Sequence, residues 1–84
     1  MIRVLFFAHV RERLDCDALE LSCPAAGIDL DTLQEQLCSD KGETWRTVLT
    51  QPNMIRAVNQ VVVKDNPALA DGDEVAFFPP VTGG

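Results

Sequence analysis

At 84 residues, with 46% hydrophobic side chains, the chain has the length for one small domain and the apolar content for one core. A formal net charge of −6 argues against nucleic acid or an anionic membrane as partner, since both demand basic patches, and favours a basic protein surface. No apolar run approaches the roughly 18 residues that span a bilayer, and no basic region leads into an apolar stretch at the N-terminus, so the expected location is the cytoplasm.

In chain order, Ile2–Ala8 is β-branched and aromatic and predicts a strand buried on both faces over most of its length. Arg11-Glu12-Arg13 and Asp15-Cys16-Asp17 read as a polar connection. Ala18–Ser22 alternates apolar with polar and predicts a half-buried strand, ended by Pro24 and paired antiparallel with the first. Asp29 or Asp31 then offers a helix N-cap, with Leu30, Leu33 and Leu37 at helical spacing, Gln34, Glu35 and Gln36 facing outward, and Gly42 at the end. Trp45, Val48 and Leu49 make a shorter second helical stripe, closed by Pro52-Asn53, with Trp45 in the core.

Met54–Val58 and Val61–Val63 flank Asn59-Gln60 as a hairpin. Asp65-Asn66-Pro67 is a loop, and Ala70-Asp71-Gly72-Asp73 a tight turn. Glu74–Phe78 is the last strand, apolar enough to predict burial on both sides. It should lie beside the first strand at the centre of a mixed sheet. Residues 1–78 therefore read as one α+β domain, a mixed sheet with one main covering helix and a short second helix. Residues 79–84 form a tail, because Pro79 and Pro80 cannot donate to a ladder.

The body offers little chemistry. His9 is the one histidine and reads as a rim residue. No glycine-rich phosphate loop precedes a helix, and the Asp71–Glu74 cluster lacks the spacing of a calcium loop. Cys16, Cys23 and Cys38 are odd in number and form no Cys-x-x-Cys, which predicts reduced thiols with neither a disulfide framework nor a metal site. Beyond the prolines, Val81-Thr82-Gly83-Gly84 carries no charged side chain and spans roughly 13 Å if fully extended. By elimination the chemistry falls on the terminal carboxylate.

Val4-Leu5-Phe6-Phe7-Ala8, Ala57-Val58-Asn59-Gln60 and the run Asp71-Gly72-Asp73-Glu74-Val75-Ala76-Phe77-Phe78-Pro79-Pro80-Val81-Thr82-Gly83-Gly84 resemble the small subunits of molybdopterin synthase. The resemblance spans the chain and is weakest between Ser22 and Asn53. It implies a ubiquitin-like β-grasp fold and a sulfur carrier of molybdenum cofactor biosynthesis, a non-catalytic subunit whose catalytic residues belong to the large subunit.

By the same resemblance, a ubiquitin-activating-type adenylyltransferase would use ATP to adenylate Gly84. A sulfur donor protein would convert it to a thiocarboxylate, and the large synthase subunit would receive the tail of Val81, Thr82, Gly83 and Gly84. Sulfur would then pass to cyclic pyranopterin monophosphate, the carrier itself binding no cofactor. The implied partner surface comprises Phe7, Val62, Phe78, Pro79 and Pro80, with Arg11 on its rim. Val62 is smaller than the leucine expected there. The alternatives are a thiamin-type sulfur carrier and a ubiquitin-like protein modifier.

Overall fold

In the computed structural model, which describes residues 1–80, the chain runs β1 (Ile2–Phe6), α1 (Ala8–Leu14), β2 (Ala18–Leu21), β3 (Ile28–Asp29), α2 (Leu30–Lys41), α3 (Glu43–Leu49), β4 (Ile55–Val58), β5 (Val61–Val63), β6 (Ala68–Leu69) and β7 (Glu74–Phe78). The main sheet has the order β2-β1-β7-β4-β5. Strands β1 and β7 are parallel and central, and every other pair described in it is antiparallel. This is the mixed β-grasp sheet expected from the sequence. The tail residues Val81, Thr82, Gly83 and Gly84 lie outside the described residues.

One face of the sheet holds the core. Ile2, Val4 and Phe6 of β1 and Val75 and Phe77 of β7 are buried there with Leu30, Leu33 and Leu37 of α2 and Val48 and Leu49 of α3. Phe6 stacks on Phe77 at 5.9 Å and meets Trp45 edge-on at 5.2 Å, so Trp45 packs against the core as expected. Lys41 lies over the indole at 5.6 Å, which covers part of its open side with a cation.

Helix α2 begins where Asp29 accepts a 2.7 Å hydrogen bond from the Thr32 N–H and ends at Gly42, whose φ of 104° needs a residue without Cβ. Hydrogen bonds from Thr32 hold the Asp29 carboxyl below the usual carboxylate range. The folded state thus binds this proton less readily than the unfolded chain. The resulting stabilisation is present above the ordinary Asp pKa of about 3.9 and is lost as pH falls through the lower folded value. Asparagine caps as well as aspartate but does not titrate. Urea midpoints measured against pH should therefore fall less steeply on the acid side for Asp29→Asn than for the parent; superimposable profiles would remove Asp29 from the acid response.

The structure corrects the sequence reading at several points. The polar connection around Arg11 is helix α1, anchored by Val10 and Leu14, which are buried at i, i+4 spacing. The described residues therefore form three helices where two were expected. Gln34 does not simply face solvent: its side-chain amide donates to the Leu49 carbonyl and accepts from Arg56 at 3.0 Å. A second, two-stranded sheet pairs Ile28 with Leu69 and Asp29 with Ala68.

Most relevant to function, neither central strand is buried on both faces. In β1 the residues alternate, Ile2, Val4 and Phe6 inward and Arg3 and Leu5 outward, and β7 alternates in step. Among the described residues no helix covers the second face, and Leu5, Ala76 and Phe78 on it are partly accessible.

Candidate functional site

The open face of the sheet assembles residues that are distant in sequence. Register sets them in rows: Leu5 beside Ala76, Ala76 beside Ala57, Ala57 beside Val62, and Phe78 beside Ile55. Direct cross-strand partners share a face, so these apolar side chains form one strip across four strands. All of them but Ile55, together with Phe7, Arg3, Gln60 and Glu74, line a shallow depression of about 460 Å³.

Phe7 follows β1 in extended conformation, and Ala8 then adopts a φ of 54° that turns the chain into α1. The turn leaves Phe7 on the open face, 45% exposed, where its ring meets Phe78 edge-on at 6.5 Å. The sequence leaves both core packing and surface exposure open for Phe7; the structure puts it outside. Between the adjacent phenylalanines, Phe77 is buried and Phe78 is the outward one, because successive side chains of a strand point to opposite faces. Val62 is 53% exposed on the edge strand β5. Exposed aromatic and aliphatic groups in one patch mark a surface that meets another molecule.

The polar rim is charged. Arg3 stands between Glu20 on β2 and Glu74 on β7, its cross-strand partners. These, with Leu5, Ala57, Gln60 and Ala76, are lining or flanking residues that the sequence reading does not single out. The signal for them lies in the two-residue spacing from Phe7 back to Leu5 and Arg3, and from Phe78 back to Ala76 and Glu74. Arg11 is not brought to the depression; it sits on α1 and borders a separate hollow with Glu12, Asp15, Cys16 and Asp17.

Pro79 and Pro80 continue directly from Phe78 and are half-buried. The tail thus leaves the domain from the strand that carries the patch. Gly84, Gly83, Thr82 and Val81 lie beyond the described residues.

The described residues hold no group of three or more His, Cys, Asp or Glu able to bind a metal ion. The three cysteines are free, and burial pushes the Cys38 thiol up, which keeps it protonated and unreactive. Among the described residues no helix is long and apolar enough to cross a membrane. A larger hollow near Met1, Cys23 and Asp71 involves none of the patch residues.

The chain matches the ThiS family over residues 4–84. It is 43% identical to the molybdopterin synthase sulfur carrier subunit of Escherichia coli, over the full length of both chains. Among solved structures it resembles a Pyrococcus furiosus protein described as a putative molybdopterin converting factor, subunit 1, with a TM-score of 0.76, 26% identity, and coverage of 95% and 97% of the two chains. It also resembles a chain in the complex of subunits 1 and 2 of the Helicobacter pylori molybdopterin-converting factor, with a TM-score of 0.68, 24% identity, and coverage of 99% and 97%.

Proposed function

The chain belongs to the ThiS family, with the molybdopterin synthase sulfur carrier subunits, and from that premise we propose that Gly84 is its working residue and the open sheet face its docking surface. The observation that carries the reading is the continuity of patch and tail: the strand that exposes Phe78 runs straight into Pro79, Pro80 and the Gly-Gly end.

A terminal carboxylate ionises with a pKa of about 3.3–3.7 and is a poor electrophile at neutral pH. Attack of its oxygen on the α-phosphate of ATP, on an adenylyltransferase partner, forms the acyl-adenylate and releases pyrophosphate. Sulfur at the sulfide level from a donor protein then adds to the acyl carbon and expels AMP, which leaves a thiocarboxylate. In the large subunit its sulfur attacks a side-chain carbon of the pterin precursor, cyclic pyranopterin monophosphate, and the carbon–oxygen bond it replaces breaks, the oxygen leaving as water or with the phosphate ester. Hydrolysis of the acyl–sulfur bond returns the Gly84 carboxylate and leaves sulfur on the product, toward the dithiolene.

The domain's own part is docking and delivery. Phe7, Phe78 and Val62 supply apolar area, Pro79 and Pro80 stiffen the start of the arm, and Gly83 and Gly84 suit a narrow channel that a Cβ would obstruct. The solved complex of the Helicobacter pylori subunits supports a large-subunit partner.

Incubation with the activating enzyme, ATP and a sulfur source tests the reading. One oxygen-for-sulfur exchange at Gly84 is the expected product. Isopeptide-linked products on other proteins would indicate a modifier instead, and an ATP-independent, unchanged mass would refute the carrier reading.

A further inference from the structure

Two short sequence runs that mark the family, Ala57–Gln60 and Asp71–Glu74, take no part in the chemistry above, yet the fold joins them. Asn59 and Gln60 form the two-residue turn between β4 and β5, with φ of 51° and 69°, the left-handed pair of a type I′ hairpin. Asn tolerates that conformation better than most residues. Its backbone N–H donates to the Glu74 carbonyl at 2.7 Å, extending the β4–β7 ladder by one rung.

The side chain then continues the pairing. The Asn59 Oδ1 accepts from the Glu74 N–H at 3.0 Å, and Nδ2 donates to the Asp73 Oδ1 at 3.1 Å. The other carboxylate oxygen of Asp73 accepts from the Ala70 N–H at 2.8 Å. Those two donors, Ala70 first, hold the Asp73 carboxyl below its usual range. One amide therefore clasps the tip of the β4–β5 hairpin to the turn that starts β7.

Val62 lies on the short edge strand just past this tip, and Phe78 lies at the other end of β7. A three-residue edge strand has few bonds to fix its height against the sheet. We propose that Asn59 is a positioning residue for partner docking: by clasping the hairpin to Asp73 and Glu74 it holds Val62 level with Phe78 on the open face. This rests on the docking role proposed for that face.

The clasp can be broken and rebuilt by exchange. Asn59→Asp keeps the acceptor for Glu74 but sets a second carboxylate against Asp73. Adding Asp73→Asn restores one donor and one acceptor with the direction reversed, since the new amide donates to position 59 and still accepts from Ala70. Titration calorimetry of the full chain with the large synthase subunit, well below the melting temperature, reads affinity apart from stability.

N59D should weaken binding about fivefold, the scale of one net hydrogen bond, and N59D/D73N should restore it. A lowered melting temperature with unchanged affinity would make Asn59 purely structural and overturn the proposal, as would failure of the double variant to rescue. Val62→Asp in the same series separates the two claims. If it too binds normally, the docking face itself is wrong; if it abolishes binding while N59D does not weaken it, only the clasp proposal falls.

Discussion

The Gly84→Phe variant is expected to fold like the parent and to carry no sulfur. The core is complete by Phe77, and the buried hydrophobic residues described all lie between Ile2 and that position. A change seven residues later in the chain alters none of these side chains, so its effect on stability should stay within about 0.5 kcal/mol. The acyl carbon of Gly84 is another matter. On the proposed route the carboxylate oxygen beside it has to reach the phosphorus of ATP, the carbon itself a sulfur nucleophile, and the sulfur it then carries a pterin, each through a partner's channel. A benzyl group beside that carbon displaces it, and misplacement of a reacting atom by about 1 Å costs on the order of a hundredfold in rate. Mass analysis after incubation with the activating system should show less than a hundredth of the parent's loading rate, with an unchanged melting curve. Full loading would remove the argument that glycine is needed for passage.

The second large effect distinguishes two neighbouring residues. Phe77→Ala should cost about 3–5 kcal/mol, because the ring is fully buried, stacks on Phe6 and cannot be replaced by collapse of three helices and a sheet. In a domain of this size that corresponds to a fall in melting temperature of about 15 °C or more. Phe78→Ala should cost only about 1 kcal/mol in stability, since the side chain lies on the open face against Phe7. Its loss should appear in binding to the large subunit, weaker by about thirtyfold or more, as for an aromatic anchor. Thermal denaturation and calorimetry on the two variants test the pair together. Equal losses in both assays for both residues would mean that the sheet has no separate docking face.

The contrast between Phe77 and Phe78 is legible in the sequence, because alternation forces one of two adjacent strand residues outward. The hairpin, the capped helix α2 and the central pairing of β1 with β7 are equally legible. The second face of the sheet is not. Leu5, Phe7 and Ala76 make the end strands nearly continuous in apolar residues, a pattern shared by strands covered on both sides and strands whose open face awaits a partner. Helix α1 is hidden for a different reason. It has seven residues and only Val10 and Leu14 on its buried stripe, and it starts at an alanine with positive φ, where no capping residue announces it. The pairing of Ile28–Asp29 with Ala68–Leu69 is too short to leave a periodic signal. Asn59 is visible as a turn residue, but its bonds to Asp73 and Glu74 cross the fold and have no local signature.

On the proposed reading, sulfur is carried on Gly84 after ATP-dependent activation. Intact mass of the protein purified from cells with and without the activating enzyme tests it most directly. A population heavier by one oxygen-for-sulfur exchange, mapped to the C-terminal peptide, is expected in the first cells and not in the second. An identical mass from both, or sulfur carried instead as a persulfide, heavier by one whole sulfur atom, on Cys16, Cys23 or Cys38, would contradict it.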